Sequence, residues 1–272
     1  MINSVSIGDV EFDLKYQETF NDDGVVVIPS YLSTDEVTRY RTAVLNAFEK
    51  IKIEISDDRL RRANEVGVVR APLKFEPGLT ELLSNSKLRK FALDLIGPGT
   101  ICHLMNGLVL PPKDDRITGV FQGKFHQDFP RFLNRYIASI NTFVCLDDFT
   151  MQNGATRFVK GSHQRSEQPS AKLIRAADTA VAPVGSLLIF DSTIWHAAGS
   201  NNAQNERVGL NVQWTKSFIK QQIDLVRYLG VDACSTFSQD VQAALGMHSR
   251  VVESLDEYYV PQHERLYQPN QG

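Results

Sequence analysis

One stretch of the chain alternates strictly between two kinds of side chain. From residue 207 to residue 214, odd positions are polar or small and even positions are apolar. Successive side chains on a β-strand point to opposite faces, so the alternation predicts a strand with one apolar and one polar face. We expect the apolar face to contact a hydrophobic layer and the polar face to line a wet cavity. The apolar set is Val208, Leu210, Val212 and Trp214, and the other set is Arg207, Gly209, Asn211 and Gln213.

Helical signals flank the strand-forming part of the chain. Ser33 and Glu36 form a capping box ahead of apolar residues at helical spacing, and a second helix is predicted at about 79–96. Strand patterns begin near residue 100, including one before His126, and helical patterns return after residue 215. Helices, then many short strands, then helices are typical of a β-sandwich or jelly roll with flanking helices. The expected single domain, 1–272, has a helical N-terminal buttress at about 1–99, a mainly β core at about 100–215 and a helical C-terminal extension at about 216–272.

A histidine and a carboxylate lie two residues apart in the middle of the chain. His126 and Asp128 would point to the same side of a strand, and His196 follows an apolar run further along. Two histidines and one carboxylate form the facial triad that holds non-haem Fe(II) and leaves other coordination positions open. Either histidine alone has an ordinary alternative as a structural side chain, so the metal hypothesis depends on all three residues together.

A single arginine follows the second histidine at a distinctive distance. Arg207 lies 207 − 196 = 11 residues after His196. A guanidinium there can make two parallel hydrogen bonds with a dicarboxylate cosubstrate. The alternative is a surface ion pair with an acidic residue such as the neighbouring Glu206. The strand alternation favours the inward orientation, because Arg207 points away from the face of Val208.

Composition excludes several classes of function. The formal net charge of −3 gives no basic surface, so nucleic acid is not an expected partner. No apolar run is long enough for a membrane span, and the first residues lack a signal-peptide pattern. Glycine-rich phosphate loops are absent, which argues against dinucleotide and P-loop chemistry. Cys102, Cys145 and Cys234 are widely spaced without a CxxC motif, which is typical of a reduced, cytoplasmic protein.

Two motifs in the middle of the chain resemble the phytanoyl-CoA dioxygenase-like branch of the Fe(II)/2-oxoglutarate-dependent oxygenases. His126-Gln127-Asp128 is similar to the His-x-Asp motif of that family. The segment Asn153–His163, with an Asn-Gly pair at its start and Gly-Ser-His at its end, is similar to the turn that follows in the family. A lone His-x-Asp carries little information, but the motifs in this order are specific.

The second half of the resemblance lies around the second histidine. The segment Asp191–His196 is similar to the strand that carries this histidine in the family. Asn201 and Arg207 fall where the family has an asparagine and the arginine that binds 2-oxoglutarate. The resemblance covers about residues 24–215, which is most of the chain.

The resemblance implies a double-stranded β-helix, a cupin-like jelly roll with iron at its open mouth. His126, Asp128 and His196 would hold Fe(II), Arg207 would bind the distal carboxylate of 2-oxoglutarate, and O₂ would be the oxidant. The implied reaction hydroxylates a small molecule while 2-oxoglutarate is decarboxylated to succinate and CO₂. Desaturation, epoxidation or ring formation would use the same ligands. The alternative from another class is a cupin-like protein that binds a metal or small molecule without turnover.

Three positions bear on how far the resemblance extends. Relatives often have a hydroxyl residue two after the second histidine, where this chain has Ala198, so that hydrogen bond is missing or replaced. The resemblance places Phe143 near the cosubstrate, with Asn141 on the same strand face. Relatives that halogenate lack the carboxylate ligand, and Asp128 therefore favours hydroxylation or another oxidative step over halogenation.

Basic residues cluster around the His-x-Asp motif. Lys124, Arg131 and Arg135 are candidates for contacting an anionic group of a small-molecule substrate, such as a carboxylate or phosphonate. Arg70 and Lys74 are weaker candidates of the same kind. The alternative is that these side chains form a solvated strand edge and loop. No pattern in the sequence assigns an oligomeric state.

Overall fold

The structure, a computed structural model, describes residue 2 and residues 12–114 and 123–265. The strands are β1 (Val25–Ile28), β2 (Val68–Arg70), β3 (Thr100–Leu110), β4 (Ser139–Cys145), β5 (Arg157–Phe158), β6 (Asp178–Thr179), β7 (Leu187–Asp191), β8 (His196–Ala197) and β9 (Arg207–Lys216). They form a six-stranded sheet in the order β1-β7-β4-β9-β3-β2 and a three-stranded sheet in the order β6-β5-β8. All neighbouring strands are antiparallel.

Helices precede and follow these strands along the chain. None of the helices in the described ranges is both long and apolar enough to cross a membrane. The α-helices are α1 (Phe12–Asp23), α2 (Thr34–Ile55), α3 (Asp57–Arg62), α4 (Arg89–Leu95), α5 (Ala171–Arg175), α6 (Leu225–Leu229), α7 (Val231–Ser235), α8 (Gln239–Leu245) and α9 (Leu255–Tyr258). Short 3₁₀-helices are found at Pro72–Lys74, Pro77–Leu83, Ser162–Gln164, Met247–Ser249 and Gln262–Glu264.

The alternating strand lies in the middle of the larger sheet, as β9 between β4 and β3. Its apolar side chains join a large core that α2, α4 and α8 also enter, and so the prediction of an apolar face is confirmed. The indole of Trp214 is fully buried there and donates to the Thr142 hydroxyl at 2.8 Å. Packing in this core holds β9 in place. The opposite face of β9 carries the polar side chains Arg207, Asn211 and Gln213.

A second, smaller core lies between the two sheets and is rich in phenylalanine. The rings of Phe143 and Phe149 meet edge to face at 5.3 Å, and those of Phe158 and Phe190 at 5.1 Å. Two antiparallel sheets that face each other across such a core form a jelly roll. The expected fold class, mainly β with flanking helices and a double-stranded β-helix core, is therefore confirmed.

The first hundred residues are not only helical. β1 pairs with β7 and β2 pairs with β3, so this part of the chain supplies both edge strands of the larger sheet. The capping box at the start of α2 is present as predicted. The prediction of one continuous helix at about 79–96 is wrong. A turn at 84–88 separates a 3₁₀-helix from α4. In that turn Asn85 donates its backbone N–H to Asp240, whereas in a continuous helix it would donate to the carbonyl four residues earlier.

The strand predicted before His126 falls mainly on residues 115–122, which lie outside the described residues. The three cysteines are buried and free, as the prediction of reduced thiols requires.

Close packing of α2 on β3 depends on Gly107. A Cβ atom built at Gly107 would lie 2.8 Å from Cγ1 of Val44 and 3.3 Å from Cβ of Val69. Gly107→Ala is therefore expected to lower the free energy of unfolding by about 1–3 kcal/mol, the usual cost of overpacking. Denaturant titration measures this, with Gly78→Ala as the control, because nothing lies within 4 Å of a Cβ there. An equal effect of both substitutions would contradict the packing argument.

Candidate metal centre and cavity

The two histidines of the predicted triad are hydrogen-bonded neighbours. His126 and His196 form an antiparallel bridge in which each backbone N–H donates to the other backbone carbonyl, at 2.9 and 3.0 Å. The expectation that the His-x-Asp motif lies on a regular strand is wrong, since only this bridge is strand-like. Pro130, which has no N–H to donate, follows shortly after it. The bridge brings together two residues that lie 70 positions apart in the chain.

Side-chain atoms of His126, Asp128 and His196 converge on one point. A possible ligand atom from each of them lies within 4.8 Å of the other two. Nε2 of His126 is 3.5 Å from Oδ1 of Asp128, and Nε2 of His196 is 3.7 Å from Oδ2. The Nδ1 atoms are hydrogen-bonded to backbone carbonyls, of Lys124 at 2.8 Å and of Ile194 at 3.0 Å. Such bonds place the proton on Nδ1 and turn the lone pair of Nε2 toward the centre.

Burial and Asp128 together set the charges of this cluster. Burial opposes a charged imidazole, but the hydrogen bond and negative charge of Asp128 outweigh it and raise the pKa of His126. Burial lowers the pKa of His196, which is therefore neutral at pH 7. Burial alone would raise the pKa of Asp128, but His196, His126 and Arg70 lower it. The carboxylate is thus ionised, and a cation bound by the cluster would compete with protons for the same ligand atoms.

The cluster opens into a cavity that is partly open to solvent. Its wall includes β2, β3, β4 and β9 of the larger sheet, and the residues around β5, β7 and β8 complete it. The lining residues are Val68, Arg70, Asn106, Leu108, His126, Asp128, Phe143, Thr156, Phe190, His196, Ala198, Arg207 and Asn211.

Arg207 points inward, as the strand alternation predicts. It is 1% exposed, and its guanidinium lies 4.1 Å from the centre of the Phe149 ring. Nη1 donates to the Gly154 carbonyl at 2.8 Å, while Nε has no hydrogen-bond partner among the described residues. Burial lowers the pKa of Arg207 to about 10, so the side chain stays positive at pH 7. Asp147 instead pairs with Arg41 at 2.8 Å. A buried guanidinium with spare donors at a cavity wall can bind an anion.

Thr156 supplies a hydroxyl group beside Ala198. Arg157 pairs with Ala197 across β5 and β8, and Gly199 donates its N–H to the Ala155 carbonyl, which places Thr156 opposite Ala198. Both residues line the cavity. The hydroxyl that the sequence lacks at position 198 is therefore present on the neighbouring strand. Sequence reasoning missed Thr156, although it lies within the Asn-Gly turn motif.

The two predicted cosubstrate residues on β4 have different surroundings. Phe143 lines the cavity, whereas Asn141 is fully buried and is not among the lining residues. Asn141 instead accepts a hydrogen bond from Asn211, which does line the cavity. Asn211 was recognised in the sequence only as part of the polar face of β9.

The basic residues near the His-x-Asp motif do not reach the cavity wall. Lys124, Arg131 and Arg135 are all exposed and are not among the lining residues. Arg70 is the basic candidate that does line the cavity, next to its ion-pair partner Glu65. Lys74 donates to the Tyr228 carbonyl at 3.0 Å and lies over its ring.

The fold and the His-Asp-His cluster define the class of non-haem iron oxygenases with a jelly-roll core, and sequence comparison agrees. The profile of the phytanoyl-CoA dioxygenase (PhyH) family matches residues 20–209. This chain belongs to the phytanoyl-CoA dioxygenase family.

Three relatives illustrate the range of similarity. The uncharacterized protein Rv1501 of Mycobacterium tuberculosis is 42% identical over 258 residues, which cover 94% of each chain. The multifunctional dioxygenase prhA of Penicillium brasilianum is 27% identical over 208 residues, 69% of this chain and 67% of its own. The solved epimerase SnoN, in complex with Fe³⁺, alpha ketoglutarate and nogalamycin RO, is 18% identical with a TM-score of 0.60. That alignment covers 77% of this chain and 85% of SnoN, and it shows a shared fold.

Proposed function

We propose that this protein is an Fe(II)/2-oxoglutarate-dependent dioxygenase that hydroxylates a small molecule, with 2-oxoglutarate converted to succinate and CO₂. The observation that carries the proposal is that one cavity contains both the His126-Asp128-His196 cluster and the buried guanidinium of Arg207. A metal site and a buried cation in the same cavity are what a chelating dicarboxylate requires. Membership of a dioxygenase family supports the same conclusion.

The donor set fits ferrous iron. His126 and His196 would bind through Nε2 and Asp128 through a carboxylate oxygen, and three protein ligands leave positions open for cosubstrate and O₂. Bound iron with 2-oxoglutarate and O₂ supplies the oxidant that replaces a substrate C–H hydrogen by hydroxyl. The chain itself holds the ligands, because the backbone bridge and the two Nδ1 bonds fix both imidazoles.

Arg207 and Thr156 would together hold the distal carboxylate of 2-oxoglutarate. The Nε–H of Arg207 has no partner among the residues described, and the Phe149 ring beneath the guanidinium keeps it rigid. The Thr156 hydroxyl takes the place of the one absent at Ala198. Phe143 and Phe190 of the smaller core line the same cavity, and apolar surroundings strengthen charge pairing.

A cupin-like protein that binds a metal or small molecule without turnover is the alternative from a different class. Such a protein does not need a buried, positively charged arginine beside the metal site, and an unpaired buried charge is unfavourable. Arg207 therefore favours the enzyme. The ligand set does not distinguish hydroxylation from desaturation, epoxidation or ring formation, but the carboxylate of Asp128 favours hydroxylation over halogenation.

An anaerobic titration tests the proposal. The apoprotein is titrated with Fe(II) and then with 2-oxoglutarate, and we expect the weak visible charge-transfer band of an iron-chelated keto acid. On admission of O₂, slow succinate formation without substrate is expected as well. Iron binding without the band would overturn the assignment of the cosubstrate, and the band without succinate would favour the binding protein.

A further inference from the structure

Asn211 brings an unsatisfied polar atom to the wall of the cavity. The residue is 8% exposed and lines the cavity from β9. Its Nδ2 donates to Oδ1 of Asn141 at 2.8 Å, but its own Oδ1 has no hydrogen-bond partner among the described residues. Buried acceptors are nearly always satisfied in native proteins, so one left over at a cavity wall points to a ligand that supplies the hydrogen.

A chain of buried hydrogen bonds lies behind the Asn211 amide. Gln213 donates to the Ser139 hydroxyl at 3.0 Å, and Ser139 donates to the Ser192 hydroxyl at 2.8 Å. The Asn141 amide nitrogen also donates to Ser192, at 2.8 Å. Because the Asn141 nitrogen is used in this way, its oxygen remains to accept from Asn211. The oxygen of Asn211 is then the atom left for the cavity.

The polar neighbours of Asn211 satisfy one another. Arg70, Asn106 and Asn211 are paired in register across β2, β3 and β9, and all three line the cavity. In the amide orientation that satisfies both of its ends, Asn106 accepts from Nη1 of Arg70 at 2.9 Å and donates to the Met105 carbonyl at 2.9 Å. Arg70 also forms an ion pair with Glu65. In this row of three, only Asn211 keeps an acceptor without a donor in the part of the chain that the structure describes.

The missing partner must carry a hydrogen. The 2-oxoglutarate dianion has acceptor oxygens only, so it cannot satisfy Oδ1 of Asn211. A cationic ammonium group is disfavoured, because Arg70 lies in the same row. A neutral donor is left, and a hydroxyl group is the simplest one that a mainly hydrocarbon molecule carries. The apolar side chains of Leu108, Phe143 and Phe190 around it suit a mainly hydrocarbon molecule.

We propose that Asn211 is a specificity-determining residue that accepts a hydrogen bond from a hydroxyl group of an otherwise largely apolar substrate. Asn141 and Ser192 act as positioning residues, since they hold the Asn211 amide in the orientation that presents its oxygen. The proposal rests on the function proposed above, because it places this substrate in the cavity of the metal centre.

A matched pair of probes tests this without knowledge of the natural substrate. Benzyl alcohol donates and accepts a hydrogen bond, whereas benzyl methyl ether only accepts. Dissociation constants are measured by ligand-observed NMR on the full chain, first without metal and then with Fe(II) and 2-oxoglutarate under nitrogen. We expect the alcohol to bind about tenfold more tightly than the ether, the contribution of one hydrogen bond.

Two variants assign the preference to Asn211. Asn211→Leu has a similar volume and no acceptor, so it is expected to bind both probes equally. Asn211→Ala also lacks a side-chain acceptor and is expected to bind both probes equally. If Asn211→Leu fails to fold, the comparison of wild type with Asn211→Ala decides.

Three results would overturn the proposal. They are equal affinity for both probes or no detectable alcohol binding in the wild type, an unchanged preference in Asn211→Leu, and an unchanged preference in a folded Asn211→Ala. An unchanged preference in either variant would mean that another group accepts the hydrogen bond. The charge-transfer band tests the proposed function, and its absence would contradict that function alone. The NMR titration without metal tests Asn211 independently of iron and 2-oxoglutarate.

Discussion

Replacing His196 with alanine is expected to abolish iron binding and, with it, all turnover. His196 is buried, contributes one of three converging ligand atoms, and is held by a backbone bridge that the substitution leaves in place. Loss of residues that merely support a metal ligand costs about 10- to 100-fold in affinity, so loss of the ligand itself should exceed that range. Iron affinity measured by anaerobic titration, together with the charge-transfer band, reports the effect.

His263→Ala is the matched control for this experiment. His263 is exposed and pairs with the neighbouring Glu264, outside the cavity. We expect this variant to bind iron as the wild type does. Wild-type iron affinity in a folded His196→Ala variant would show that the metal centre is elsewhere. Asp128→Ala adds a second test, because it should abolish hydroxylation even if both histidines still hold iron.

Replacing Arg207 with alanine is expected to weaken 2-oxoglutarate binding strongly while iron binding is unchanged. Hydrogen bonds to charged groups contribute about 1.5–3 kcal/mol each, so losing one or two of them predicts a loss of about ten- to a thousandfold or more. With a pKa of about 10, the guanidinium stays protonated throughout the range from pH 7 to pH 8, and the effect should not depend on pH there. Titration of the iron-loaded variant with 2-oxoglutarate measures the change.

Two further variants show which property of Arg207 matters. Arg207→Lys keeps the charge but loses the planar fork, and its loss of affinity should be smaller than that of the alanine variant. Thr156→Val keeps the shape of the side chain and removes one hydroxyl, which predicts a loss of about tenfold. Equal 2-oxoglutarate affinity in wild type and Arg207→Ala would show that Arg207 does not bind the cosubstrate.

Local patterns in the sequence carried enough information for the central strand and for the triad. The alternation at 207–214 predicts which side chains of β9 enter the core, because the period of a strand is a local property. His126, Asp128 and His196 were found because a metal needs a specific set of ligand types. The position of His126 was predicted for a partly wrong reason, since the motif lies in a single bridge and not on a regular strand.

Other contacts depend on which strands become neighbours, and no local pattern specifies that. Thr156 lies opposite Ala198 because β5 pairs with β8. Its proposed role in binding the cosubstrate depends on that pairing. Asn141 proved to hold Asn211 and not to line the cavity, a distinction that depends on the register of β4 and β9. The turn at 84–88 follows from a contact with Asp240, which is 155 residues away.

The place of β9 in the sheet has a consequence for how the chain is made. Five of the six strands of the larger sheet are synthesised before β9, yet β9 lies between β4 and β3. Until residue 216 has left the ribosome, β1-β7-β4 and β3-β2 are two separate ribbons with open edges. Open edges of this kind invite pairing with other chains. The nascent protein is therefore most prone to misassembly just before β9 is synthesised. Arg207 belongs to β9, so it takes its place in the cavity when β9 joins the two halves of the sheet.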